Sequence, residues 1–176
     1  MEDLHHIITE CAANNRQAQE KLYYRFYPAL MLLCKRFFAD DHTALEVLND
    51  GMMKVFRKIN SYQSDKGDLF NWIYTIIRNT ALDKLKLSGL PVIVDLNGSS
   101  EFDAGENIFQ ALEWEDIYKL LDKLPPATRA VCTLFYLEGY SINDAAEQLG
   151  LTAGTVKWHL HEGRKKLKPV LEKYFL

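Results

Sequence analysis

The chain has 176 residues, of which 48% are apolar and 26% charged, with a formal net charge of -3. That is the composition of one medium or two small globular domains, and it carries no overall basic signature of a nucleic-acid binder. Cys11, Cys34 and Cys132 are odd in number, far apart and free of CxxC spacing, which argues against a disulfide framework or a zinc site, and no apolar run approaches the roughly 20 residues of a membrane span.

Charge is unevenly distributed. Residues 88–116 hold seven acids and no Lys or Arg, whereas 53–87 carry seven bases against three acids and 152–176 six against two. Two basic segments thus flank an acidic one, so local sites for phosphates are compatible with a low overall charge. The N-terminus, MEDLHHIITECAANN, lacks the basic start and apolar run of a signal peptide. A reducing cytoplasm is the expected location.

Helical periodicity dominates the first half. A short helix is expected near 4–13. Leu22, Phe26, Leu30, Leu33 and Phe37 then recur at three- and four-residue steps, as do Leu45, Leu48, Met52, Val55 and Ile59, and again Phe70, Ile73, Ile77, Ala81 and Leu85. Turn formers break the pattern at 39–42 and 61–68. In the third long helix, Phe70, Trp72 and Tyr74 stand among polar residues, with Arg78, Asn79 and Asp83 following. Aromatic faces beside bases suit single-stranded nucleic acid, though aromatics at helical spacing also serve as core. The preceding helix sets Glu46, Asn49 and Asp50 beside Met53 and Phe56, either a solvated acidic face or a protein-binding patch.

The stretch SGLPVIVDLNGSSEFDAGEN is rich in Gly, Ser and Asp and reads as an acidic linker, with PVIVDL extended. Helical pattern resumes with Leu112, Ile117, Leu120, Leu121 and Leu124, restarts after Pro125-Pro126, and stops at Gly139. Ser141 is placed to cap a short helix over 142–149, with Asp144 in a weakened capping box. Gly150 makes the turn and Thr152 caps a last helix reaching about residue 173. Ala145 and Ala146 are small, and Val156 and Leu160 face inward, which is the pattern of a helix-turn-helix. The face left open carries Thr155, Lys157, Trp158, His161, Arg164 and Lys165, where base edges and phosphates would be met. The plainer alternative is an amphipathic helix pair with a solvated basic end. The fold class expected is all-α, two helical domains (1–87 and 111–176) joined by a flexible acidic linker (88–110).

Taken in order, LYYRFYPALMLLCKRF, ALEVLNDGMMKVFRKI, YQSDKGDLFNWIYTIIRNTALDKLK and LDKLPPATRAVCTLFYLEGYSINDAAEQLGLTAGTVKWHLHEGRKKL resemble regions two and four of extracytoplasmic-function sigma factors, the smallest group of the sigma-70 family. The resemblance implies that Glu46, Asn49, Asp50 and Met53 meet core RNA polymerase. It implies that Tyr62, Gln63, Phe70, Arg78, Asn79 and Asp83 recognise and open the −10 element around a flipped base. It implies that Thr155, Lys157, Trp158, His161, Arg164 and Lys165 meet the −35 major groove. The partners implied are core RNA polymerase, promoter DNA and an anti-sigma factor, with no cofactor, no metal and no membrane insertion. Trp158, Glu162, Gly51, Met52 and Gly163 depart from the family pattern. No phosphate loop, HExxH or nucleophile motif suggests an enzyme. The alternative is a stand-alone helix-turn-helix regulator, which would need a dimer to read two half-sites.

Overall fold

A computed structural model describes residues 4–90, 107–110 and 112–172. Among these there is no strand, and the chain divides into two compact units, Met1–Lys84 and Leu85–Leu176. Most of the expected acidic linker, including PVIVDL, lies outside the described residues.

The first unit holds α1 (Leu4–Ala12), α2 (Arg16–Phe37), α3 (Asp41–Lys58) and α4 (Leu69–Leu87), the last turn of α4 lying past the division. The starts of α2, α3 and α4 each have a physical cause. Asn14 takes φ 59°, and Asn15 Oδ1 then accepts from the amides of Gln17 and Ala18, at 3.0 and 3.3 Å. Asp40 Oδ2 accepts from the Thr43 amide and hydroxyl at 2.7 Å, and Asp68 Oδ1 from the Phe70 amide at 2.7 Å. Such caps satisfy amides that have no partner within the helix and contribute about 1 kcal/mol each.

The core of this unit joins Ile7 and Cys11 to Leu22, Leu30, Leu33 and Phe37 of α2, Val47, Leu48, Met52 and Val55 of α3, and Leu69, Ile73 and Ile77 of α4. Burial of each large side chain contributes about 1.5–3 kcal/mol before entropy is counted. Leu45, expected inward, is instead 36% exposed. The inner stripe of α3 is Ala44, Val47, Leu48, Gly51, Met52 and Val55, a cleaner i, i+3, i+4, i+7 series. Gly51 belongs to that stripe because a Cβ there would overlap Ile77 Cδ1 and stand 3.3 Å from Ile77 Cα. The close approach of the two helices outweighs the helix-propensity cost of glycine, about 1 kcal/mol.

The second unit holds α5 (Trp114–Leu121), α6 (Pro126–Cys132), α7 (Ile142–Leu149) and α8 (Ala153–Leu171). Its core is built from Ile117, Leu120 and Leu121, Ala130, Val131 and Leu134, Ala145 and Leu149, and Val156, Leu160 and Leu167. Phe109, within the segment expected as linker, is buried against Tyr136 with ring centroids 5.6 Å apart, and Asn107 Nδ2 donates to the Tyr136 carbonyl at 2.8 Å.

Past Cys132 the helix widens into a π turn over Thr133–Leu137. The extra residue per turn shifts the register. Leu134 and Tyr136 are buried while Phe135 and Leu137, expected on the apolar side, are half-buried. Gly139 stops the helix at φ 72°. Ser141 Oγ accepts from the Asp144 amide (3.1 Å) and donates to Asp144 Oδ2 (2.6 Å), so the capping box closes between the two side chains. Gly150, at φ 66°, makes the turn, and Thr152 Oγ1 accepts from the Thr155 amide at 3.1 Å.

Candidate polymerase and nucleic-acid surfaces

On α3 the residues Glu46, Asn49, Asp50 and Met53 follow i, i+3, i+4, i+7 and share one exposed face. Two of them are held from neighbouring helices. Lys84 Nζ of α4 reaches Glu46 Oε1 at 2.7 Å, and the Tyr23 hydroxyl of α2 donates to Asn49 Oδ1 at 2.8 Å. The hydrogen bond and charge of Lys84 lower the Glu46 carboxyl below its ordinary range, so this face stays anionic. Met53 is 51% exposed beside it. The result is an acidic stripe with an apolar side chain at one end, the makings of a protein-binding surface.

Between α3 and α4 the chain folds into two short 3-10 turns, Ile59–Ser61 and Ser64–Lys66. The Tyr62 hydroxyl donates to the Gly67 carbonyl at 2.9 Å and ties the loop across its mouth. The Tyr62 ring lies 5.6 Å from that of Trp72, centroid to centroid. Together they border a hollow of about 430 Å³ with Gln63, Lys66, Asn71 and Thr75 on its walls. That volume is within the range of ligand sites, roughly 300–1,000 Å³. Its lining offers rings for stacking, amides that donate and accept, one ammonium group and the carboxylate of Asp68.

The structure gathers only part of the expected −10 set here. Tyr62 and Gln63 line the hollow, but Phe70 does not. Its ring packs half-buried against Phe26 (5.5 Å) and Tyr74 (5.9 Å), because one residue of rotation along α4 turns it from the loop toward α2. Arg78, Asn79 and Asp83 also stand outside the hollow. Asn79 and Asp83 are exposed, and they continue the line of Asn71 and Thr75 at four-residue steps, while Arg78 is half-buried. Asp83 pairs with Lys54 at 3.6 Å. The hollow also takes in Lys66 of the same loop and Asn71, Trp72 and Thr75 of α4, none of which is in the expected −10 set. The i, i+4 spacing of Asn71 and Thr75 after a turn was the available signal.

On α8 the expected open face holds in part. His161 and Lys165 are exposed, and Lys157 and Trp158 half-buried. Thr155 is a correction: it is fully buried, its hydroxyl 2.9 Å from that of Thr152, because the cap draws it into the turn. Arg164 is half-buried, and its Nε donates to the Tyr136 hydroxyl at 2.7 Å with its guanidinium carbon 5.7 Å from the ring. Its charge is thereby anchored at the α6 side of the helix. His159, which faces inward, hydrogen bonds with Thr128 across 3.0 Å. Among the described residues no group of His, Cys, Asp and Glu could hold a metal, and no helix is long and apolar enough to cross a membrane.

Comparison with known proteins places both units. Residues 22–88 match the family model of sigma-70 region 2, and residues 114–167 that of sigma-70 region 4. The chain is 28% identical over 148 residues to the ECF RNA polymerase sigma factor SigE of Mycolicibacterium smegmatis, an alignment covering 81% of this chain and 57% of that protein. It is 26% identical over 165 residues to the ECF RNA polymerase sigma factor SigM of Mycobacterium tuberculosis, covering 94% of this chain and 83% of that one. Among solved structures, the sigma factor RpoE in complex with the anti-sigma factor NepR from Bartonella quintana aligns over 87% of this chain and 96% of that chain, at 22% identity and a TM-score of 0.49. With region 2 falling on the unit that carries the acidic stripe and the hollow, and region 4 on the unit that carries the helix-turn-helix, the chain belongs to the sigma-70 family, among its extracytoplasmic-function RNA polymerase sigma factors.

Proposed function

We propose that the chain is a bacterial transcription initiation factor that binds core RNA polymerase, directs it to promoters through −10 and −35 elements and nucleates strand opening. The observation that carries this is the order of the two matched regions along one chain, 22–88 then 114–167. Residues 1–87 form the polymerase-binding and −10 part, 88–110 the acidic linker, and 111–176 the −35 part. It acts in the cytoplasm and without catalysis of its own.

Glu46, Asn49, Asp50 and Met53 dock on the polymerase. Tyr62 and Gln63 receive an unpaired base in the hollow, and the polar line through Asn79 and Asp83 tracks the strand leaving it. Capturing an unpaired base costs a few kcal/mol of unstacking, which stacking and edge contacts offset. Lys157, Trp158, His161 and Lys165 face the −35 groove, with Arg164 steadied by Tyr136. An anti-sigma factor is the expected antagonist, its surface overlapping those that meet polymerase. A stand-alone helix-turn-helix regulator is disfavoured, since it leaves the region 2 match without a purpose.

The test is co-migration with sigma-free bacterial core RNA polymerase on size exclusion, followed by selection of promoters from a random library. Co-elution and recovery of a two-part motif support the reading. Elution apart from competent core overturns it.

A further inference from the structure

Glu162 is the only acid within α8. It falls at i+4 from Trp158, next to His161 and three residues before Lys165, so it lies on the open stripe of the helix. Val156, Leu160, Gly163 and Leu167 make the buried stripe instead. Lys165 and Lys166 follow at i+3 and i+4, the spacing at which a Glu–Lys pair forms on a helix. Glu162 nevertheless takes part in no ion pair or hydrogen bond among the described residues. Its carboxylate is half-buried and uncommitted among the described residues, at the edge of a face that is otherwise aromatic and cationic.

A carboxylate on a DNA-facing surface works against the phosphates, so it weakens sequence-independent affinity. An ionised carboxylate can only accept hydrogen bonds. In the major groove, the donors it could meet are the exocyclic amino groups of cytosine and adenine. Guanine presents two acceptors there, and thymine an acceptor and a methyl group. An acid in this place therefore contributes discrimination rather than attraction.

We propose that Glu162 is a specificity-determining residue of the −35 contact. It accepts from the amino group of one base, cytosine or adenine, and rejects guanine and thymine at that position. This rests on the reading of α8 as the −35 helix.

The experiment uses the full chain assembled with core RNA polymerase and promoters randomised through the upstream element. Wild type is compared with Glu162→Gln and Glu162→Ala. Wild type should enrich cytosine or adenine at one position by about ten-fold. Glu162→Ala should flatten that position alone while the rest of the motif stays. Glu162→Gln, which both donates and accepts, should favour adenine there, so a wild-type cytosine would change to adenine and a wild-type adenine would stay. Unfolding midpoints of both variants should match wild type, since the side chain makes no hydrogen bond or ion pair among the described residues. The same motif from wild type and Glu162→Ala, or a responsive position that prefers guanine or thymine, overturns the proposal. If no form joins core polymerase or selects any motif, it is the initiation-factor reading that fails.

Discussion

Gly163 of α8 lies against Cys132 of α6 so closely that a Cβ on the glycine would stand 2.7 Å from Cys132 Sγ and 3.3 Å from Thr128 Cγ2. The recognition helix is thus seated on α6 by the absence of a side chain. Gly163→Ala should gain about 1 kcal/mol of helix propensity and lose roughly 1–3 kcal/mol to overpacking, for a net loss. Urea unfolding followed by helical signal measures it. A stabilised variant would mean that the contact yields freely. Burial also pushes the Cys132 thiol up to about 12, which keeps it protonated and poorly reactive in the folded chain.

One turn earlier, His159 is 2% exposed, with Nδ1 on Thr128 and Nε2 buried without a hydrogen-bond partner among the described residues. Burial lowers its pKa below the ordinary value of 6.5. The unfolded chain then takes up this proton first as pH falls. The contribution of neutral His159 to stability is full above about pH 6.5 and is lost as pH falls through the lower folded value. Urea midpoints at pH 7.5 and 5.5 should show a drop that His159→Gln reduces. An equal drop in the variant would assign the pH dependence to other groups.

Much of this architecture is legible from the sequence, for identifiable reasons. The stripes of α2 to α4, the Ser141 and Thr152 caps and the Gly150 turn are local patterns, and local patterns survive folding. Leu45 fits the apolar spacing of α3 but stands at the edge of the inner face, which starts at Ala44 and includes Gly51, a residue that hydrophobic periodicity does not register. Contacts distant in sequence were harder. The hold of Tyr136 on Arg164 spans 28 residues and depends on a π turn that no periodicity announces. The hollow beside Tyr62 is half legible: its loop carries turn formers, and the i, i+4 spacing of Asn71 and Thr75 puts them on one face of α4, but that this face meets the loop shows only in the fold.

Lys157 and Arg164 should separate under mutation. Lys157 is half-exposed on the open face, whereas Arg164 is tied to Tyr136. Lys157→Ala should weaken holoenzyme binding about equally across −35 sequences and lower the slope of log affinity against log salt by about one. Filter binding from low to moderate salt measures that slope. An unchanged slope would remove Lys157 from the phosphate contacts.

Tyr62 has two duties, a ring beside Trp72 and a hydroxyl on the Gly67 carbonyl. Tyr62→Ala should cost the holoenzyme about 1–3 kcal/mol in binding single-stranded −10 DNA, the value of one stacked base. Tyr62→Phe keeps the ring and should cost less. Asn79→Ala should slow strand opening while leaving core polymerase binding intact. Fluorescence anisotropy with the single strand, and permanganate footprinting of the open complex, read the two steps. Equal losses in Tyr62→Ala and Tyr62→Phe would assign the role to the loop closure rather than to stacking.

Met53 tests the acidic stripe with little risk to the fold, because half of it already faces solvent while Met52 beside it is buried. Two of its partners on the stripe, Glu46 and Asn49, are fixed by Lys84 and Tyr23, so an apolar contact there meets a partly ordered surface and loses little entropy on docking. Met53→Ala should raise the dissociation constant for core polymerase by about ten-fold, the scale of an interface residue worth more than 1 kcal/mol. Competition against labelled wild-type chain for core polymerase measures it, with the unfolding midpoint as control. An unchanged constant would place the docking energy on Glu46, Asn49 and Asp50. Glu46→Gln, which keeps a hydrogen bond to Lys84 but removes the charge, would then show the larger loss.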